Sequence, residues 1–228
     1  MFQYPQRARV DRILPKNKIY GHAQPSKAVR QRFIDDVEQV VWRYKLAPET
    51  INLPAEPGVE EIQVFEIALK TGELREDVLR AIDRAIPSQI FFERTYEGRV
   101  RFAAAYKRLS EAAPAKPIVD GYFETPWQSS ERVRIPLPPA LDLSGLYQQM
   151  LGRHMEASPL GLQPRNGEGL LEMVERSNLI RSKLRECRRL EARLRKEIQF
   201  NRKVELNAAL RLHRAELAAL KDADAEAL

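Results

Sequence analysis

The chain has 228 residues, 43% hydrophobic and 31% charged, with a formal net charge of +6 and a pI near 9.5. This balance excludes a chain that is disordered throughout and fits one domain with an appendage, or two small domains. The single cysteine, Cys187, excludes an intrachain disulfide, and neither an apolar signal segment nor a membrane-spanning apolar run is visible. A cytoplasmic protein without a membrane span is therefore expected.

Helical and extended patterns alternate in the first two thirds of the chain. Residues 1–24 are polar, include two prolines and are predicted to form an extended segment. Ser26 is a favourable N-cap, and apolar residues recur at helical spacing after it, so a helix is predicted over about 27–45. The elements predicted next are an extended piece at 50–53, a strand at 61–69, a helix at 73–85, strands at 90–96, 100–106 and 118–125, and a helix at 141–152.

These elements predict an α+β domain over residues 25–155. The strands that flank the helix at 73–85 can run parallel, because that helix provides a crossover between them. Glu97 and Gly98 form a hairpin turn between the next two strands, which are therefore antiparallel. A mixed sheet with covering helices is the expected architecture.

The chain changes character after a linker at 156–168 that is rich in Pro, Gly and Asn. Residues 169–222 lack proline and are rich in Leu, Ala, Glu and Arg, which is typical of a long helix or a helical hairpin of coiled-coil character. Their two apolar stripes are out of phase near 201–205 and each needs a partner helix. The residues predicted to bind that partner, or a second copy of the chain, are Ile180, Leu184, Leu194, Ile198, Leu206, Leu210 and Leu217.

A basic run over 181–203 is the strongest functional signal. It contains ten Lys and Arg residues against three Glu. Such a helix can follow a phosphate backbone, and its binding would weaken steeply with salt. A solvated surface, or one that faces an acidic protein, is the alternative. The positions expected to contact DNA are Arg185, Arg188, Arg189, Arg193, Arg195 and Lys196.

The strand at 61–69 suggests a metal-dependent nuclease at first sight, because Glu66 and Lys70 share a face. Nucleases of the PD-(D/E)xK kind need the acid and the lysine two residues apart, whereas here they are four apart, roughly 13 Å along a strand. One metal-bound water cannot reach both groups, so a strand packed on one side is favoured. A divergent nuclease that binds its metal through Glu66, Asp77 or Asp120 is kept as an alternative.

The remaining motif search favours a protein without a catalytic site. The histidines, His22, His154 and His213, lie on different predicted elements, and Cys187 has no second cysteine beside it, so no metal site is expected. The chain contains neither a glycine-rich phosphate loop nor a nucleophile elbow. No cofactor is therefore expected.

Six strings spread along the chain are characteristic when they are taken together. They are LPKNKIYG at 14–21, VVWRYKLAPETINLP at 40–54, EEIQVFEIALK at 60–70, AIDRAIPSQIFFE at 81–93, AYKR at 105–108 and KEIQFNRKVELNAALR at 196–211. They resemble a bacterial family of uncharacterised proteins described as a domain of unknown function, over about residues 2–217. The resemblance implies partners rather than chemistry, because such proteins are encoded beside a site-specific DNA methyltransferase and a DEAD/DEAH-type or SNF2-type helicase in restriction-modification or phage-defence loci.

The combined interpretation is a non-catalytic accessory or assembly subunit of a bacterial DNA-modification or phage-defence complex. Its expected partners are the helicase, the methyltransferase or both, and DNA and a second copy of the chain are further candidates. The alternatives are the divergent metal-dependent nuclease and a homodimeric structural protein held together by its coiled coil.

Overall fold

The computed structural model describes residues 2–108 and 118–222. The chain divides into two compact units, residues 1–159 and 160–228. The first unit combines a mixed sheet with helices, and the second is helical. The α+β fold class predicted from the sequence is therefore confirmed. No helix among the described residues has the length and apolar character that crossing a membrane requires.

The first unit alternates strands and helices along the chain. Its strands are β1 (Phe2–Gln3), β2 (Arg9–Ile13), β3 (Val37–Leu46), β4 (Ile62–Leu69), β5 (Gln89–Tyr96), β6 (Arg99–Arg108), β7 (Ile118–Glu124), β8 (Gln128–Ser129) and β9 (Ile135–Pro136). Its helices are α1 (Lys16–Ala23), α2 (Lys27–Asp35), α3 (Pro48–Ile51), α4 (Glu76–Ala85) and α5 (Leu143–Ala157).

The main sheet has the strand order β2-β3-β4-β5-β6-β7, with β8 also paired to β6. Strands β4 and β5 are parallel and are joined by α4, whereas the other neighbours in the sheet are antiparallel. The hairpin between β5 and β6 turns at Glu97 and Gly98, which both have positive φ. The predicted parallel pair and the predicted hairpin are both confirmed.

Side chains alternate across the sheet, and helices cover both of its faces. Phe92 belongs to a core cluster with Phe65 and residues of α1, α2 and α4. Its neighbour Phe91 points the other way and packs against Tyr147 and His154 of α5. On the neighbouring strand β4, Val64 and Phe65 point to opposite faces and both are buried. Strand β4 is therefore covered on both faces, and the expectation of a strand packed on one side is wrong.

Three elements near the N-terminus differ from the sequence-based predictions. The helix predicted over 27–45 ends at Asp35, and β3 follows because a β-branched and aromatic segment pairs with β2 and β4 on its two sides. Residues 1–24 are not extended throughout, since they contain edge strand β2 and helix α1. The extended piece at 50–53 overlaps a short helix, α3, which begins at Pro48.

The second unit is an antiparallel pair of helices. Helix α6 (Leu170–Lys196) is followed by a short connection, residues 197–199. Helix α7 (Phe200–Lys221) then runs back along α6. Lys183 Nζ lies 2.7 Å from a carboxylate oxygen of Glu216, and Arg176 donates to the carbonyl oxygen of Leu220, so the end of α7 lies beside the start of α6. Of the two predicted alternatives, a long helix or a helical hairpin, the hairpin is the one that forms.

Candidate nucleic-acid interface

The six basic side chains predicted to contact DNA all lie on α6, and all six are exposed. Within the described part of the chain, none of them forms an ion pair or a side-chain hydrogen bond. Their charges are therefore not neutralised inside the hairpin. The residues are Arg185, Arg188, Arg189, Arg193, Arg195 and Lys196.

These side chains occupy one face of α6. With 3.6 residues per turn, all six fall within about 160° of the helix circumference. The apolar stripe that includes Ile180, Leu184 and Leu194 falls on the other side of the helix. Since α7 packs against the apolar side, the charged side remains open to solvent. We call these six residues the basic face.

Other basic residues of the hairpin are used inside it. The ammonium group of Lys183 lies 2.7 Å from Glu216 and 3.6 Å from Glu186, and its hydrogen bond to Glu216 raises the pKa of Lys183. Arg214 on α7 donates to Glu191 on α6 at 2.8 Å. The pairs of Lys183 with Glu216 and of Arg214 with Glu191 join the two helices, whereas the basic face has no such structural use among the described residues.

The hairpin adds two basic residues that the predicted site omitted. Arg202 and Lys203 are exposed at the start of α7. Arg202 and Arg193 border the same cleft, of about 360 Å³, between the ends of the two helices. The signal in the sequence was that the basic run continues close to the break between the two apolar stripes. A chain that turns back near this break carries the last residues of the run onto α7, beside the end of α6.

The seven residues predicted to bind a partner differ in their exposure. Ile180 and Leu210 are buried, Leu184, Leu194, Leu206 and Leu217 are half-buried, and Ile198 is exposed. Ile180 and Leu210 are buried within the hairpin, where α7 folds back along α6. Partner binding stays a prediction for all seven residues, and the same holds for the description of the hairpin as a coiled coil.

The three acidic residues of the nuclease alternative lie on different elements, and two of them form ion pairs with arginines. Glu66 on β4 forms a two-pronged ion pair with Arg43, with atom separations of 2.8 and 3.0 Å. Asp77 lies in the first turn of α4 and pairs with Arg32, and Asp120 lies on β7. Residues 2–108 and 118–222 contain no group of three or more His, Cys, Asp or Glu side chains placed to hold a metal ion.

A buried polar network joins α4 to the sheet in the first unit. Lys107 Nζ donates to Asp83 at 3.0 Å and to the carbonyl oxygens of Ile86 and Ser88 at 2.7 and 2.8 Å. Tyr122 donates to the other oxygen of the same carboxylate. Burial raises the pKa of Asp83 and lowers that of Lys107. The ammonium group uses its three donors within the fold, so the network has a structural role.

The first unit also has an open apolar depression of about 300 Å³ at one end of its sheet. Trp42 and Phe65 line it together with Ile86. Its carboxylate, Glu61, accepts a hydrogen bond from Ser88 at 2.7 Å and lies 3.2 Å from Lys45 Nζ. The carboxylate of the depression is therefore already paired within the first unit.

A family match covers almost the whole chain, because a family model described as "Domain of unknown function (DUF4391)" matches residues 2–217. The chain belongs to this family. The matched region of this DUF4391 chain includes the sheet of the first unit, the whole of α6 and most of α7. The basic face therefore lies inside the family region. No curated protein and no solved structure matches the chain significantly.

Proposed function

We propose that this DUF4391 chain is a non-catalytic accessory subunit that binds DNA through the basic face of its helical hairpin. The observation that carries the proposal is the position of six exposed basic side chains on one side of α6, without an ion pair to any described residue. Positive charge left open along one helix face matches the electrostatic requirement for contact with a phosphate backbone.

The dimensions of the face suit several phosphates. From Arg185 to Lys196 the helix rises about 16 Å, and duplex DNA carries one charge per roughly 1.7 Å of its axis. Long, flexible Arg and Lys side chains can then reach phosphates without reading bases. The proposed binding is therefore independent of sequence and depends strongly on salt.

The proposal extends to the complex in which the subunit works. The family resemblance supports a DNA-modification or phage-defence complex with a helicase, a methyltransferase or both as protein partners. In this arrangement the hairpin would hold DNA while the catalytic subunits act on it. The half-buried apolar residues along the hairpin and the depression in the first unit are the candidate surfaces for protein contact.

The test is a fluorescence-anisotropy titration of a short duplex with the full chain at about 50 mM and about 200 mM salt. The variant Arg185→Glu/Arg188→Glu/Arg189→Glu is expected to bind at least about tenfold more weakly and to lower the salt slope by about 3. The matched control is Arg7→Glu/Lys18→Glu/Lys27→Glu, which makes the same charge change at exposed residues of the first unit.

Two results would contradict the proposal. One is a wild-type chain that does not bind duplex at the lower salt concentration. The other is an equal loss of affinity in the hairpin variant and in the matched control, since that would attribute binding to net charge rather than to the basic face.

A further inference from the structure

The tip of the hairpin, residues 193–204, exposes large apolar side chains among its charges. Ile198 is 90% exposed, Phe200 is 76% exposed and Val204 is 52% exposed. Residues 193–203 contain five Lys and Arg residues against one Glu. Exposed apolar side chains of this kind lower solubility and do not stabilise the hairpin. They therefore indicate an interaction surface.

Hydrogen bonds hold the tip in a defined shape. The carboxylate of Glu197 accepts hydrogen bonds from the backbone N–H groups of Ile198 and Gln199, both at 2.9 Å. These two bonds lower the pKa of Glu197. The N–H of Glu197 itself donates to the carbonyl oxygen of Arg193 at 3.0 Å and closes the last turn of α6. Ile198 and Phe200 are therefore presented from a fixed turn between two helices.

We propose that the tip is a wedge that inserts Phe200 and Ile198 between base steps of duplex DNA. Proteins that bend DNA commonly insert Phe, Leu or Ile side chains in this way, beside basic residues that hold the backbone. Here the basic residues lie on both sides of the wedge, Arg193 and Lys196 before it and Arg202 after it. This inference rests on the proposed function and adds to it an unstacked, bent form of the DNA.

The distribution of charge favours DNA over an anionic membrane. The basic face extends back about 16 Å from the tip along α6. The polar headgroup layer of one leaflet is only about 5–8 Å thick. A hairpin that enters a bilayer by its apolar tip would therefore leave Arg185 and its neighbours beyond the headgroups. A DNA duplex instead offers phosphates along the whole length of the face.

The test combines unstacking with affinity in the full-length chain. Duplexes carry 2-aminopurine beside a central pyrimidine–purine step, and its fluorescence rises when the base is unstacked. The wild-type chain is expected to raise the fluorescence. The variant Ile198→Ala/Phe200→Ala is expected to lose the rise and to bind about 5- to 150-fold more weakly, with an unchanged salt slope.

The matched control removes exposed apolar side chains elsewhere. Val133 and Leu141 are 85% and 91% exposed in the first unit, so Val133→Ala/Leu141→Ala makes a comparable change away from the hairpin. This control is expected to behave as the wild type. Because all four residues are exposed, both variants are expected to fold, and their circular dichroism spectra and melting curves check this.

Each remaining outcome decides between the two proposals. Salt-dependent binding by the wild type without a rise in fluorescence overturns the wedge and leaves the proposed function standing. Absence of duplex binding at low salt overturns both. Binding to phosphatidylcholine vesicles that contain phosphatidylglycerol, lost in Ile198→Ala/Phe200→Ala and without unstacking of DNA, overturns the wedge in favour of a membrane.

Discussion

A single buried histidine makes the stability of the first unit depend on pH. His154 is surrounded by the rings of Phe2, Phe91 and Phe102, and its Nδ1 lies 3.0 Å from the carbonyl oxygen of Met150. Burial lowers the pKa of His154 from 6.5 to about 4. Below about pH 6.5 the unfolded chain therefore takes up this proton before the folded chain does, and folding loses stability.

The difference in the pKa of His154 between the folded and unfolded chain predicts how the free energy of unfolding changes with pH. Between about pH 6.5 and pH 4 the neutral histidine is expected to cost the fold about 1.4 kcal/mol per pH unit. Melting curves at about pH 7, 6 and 5 should show a falling melting temperature for the wild type and a shallower fall for His154→Phe. His22→Phe, at an exposed histidine of the same unit, should keep the wild-type slope. An identical slope in all three proteins would refute this assignment.

The buried pair of Lys107 and Asp83 gives a second prediction at the residue scale. Lys107→Met leaves the carboxylate of Asp83 buried without its cation, and this should destabilise the first unit by about 3–5 kcal/mol. Lys107→Met/Asp83→Leu should recover part of the loss, because the uncompensated charge is gone. Urea unfolding followed by tryptophan fluorescence reports this unit, since Trp42 and Trp127 both belong to it. A double variant less stable than the single one would contradict the argument.

At the scale of secondary-structure elements, two arginines bind the C-terminal end of α7 at the open end of the hairpin. Arg176 is buried, forms an ion pair with Glu168 and donates to the carbonyl oxygen of Leu220 at 3.2 Å. Arg165 donates to the carbonyl oxygen of Ala219 at 2.8 Å. The last carbonyl groups of a helix have no partner within it, so guanidinium groups at this position satisfy them and complement the helix dipole.

The prediction at this scale is local fraying. Arg176→Met should weaken the end of α7, with a cost of about 3 kcal/mol, because Glu168 loses its partner and a backbone carbonyl loses its donor. Hydrogen exchange of the amides at 216–221 should become faster, and that of α4 should not change. Arg185→Met, at an exposed residue of the same helix, serves as the control. Equal hydrogen-exchange rates at 216–221 in the two variants would exclude this role of Arg176.

Element boundaries show where local patterns were sufficient. Strands β4, β5, β6 and β7 and helices α4 and α5 follow from alternation, from apolar residues at helical spacing and from turn residues, all of which act within a few residues. The clearest of the exceptions near the N-terminus is the segment from Ser26 to Leu46, where apolar residues at helical spacing continue past the end of α2. Neighbouring strands β2 and β4 supply backbone partners to β3, and those partners are distant in the sequence.

At the scale of the whole molecule, the chain separates a mixed-sheet unit from a basic helical hairpin. The fragment 1–159 keeps the residues of the sheet and its covering helices but lacks the basic face. We expect this fragment to give the tryptophan emission of the folded unit and to lose salt-dependent binding to duplex DNA. If the fragment bound duplex DNA as tightly as the full chain, the DNA-binding surface would lie on the first unit, and the proposed function would be refuted.

The sequence by itself determined the fold class, the parallel crossover, the β5–β6 hairpin and the basic run of α6. Each of these depends on composition or on neighbours a few residues apart. Only the tertiary structure decided that α7 packs against the apolar stripe of α6, that the six basic residues form no ion pair with any described residue, and that Ile198 and Phe200 remain exposed. Those properties depend on where α7 lies after the chain reverses, and burial and ion pairing are set by residues far apart in the sequence.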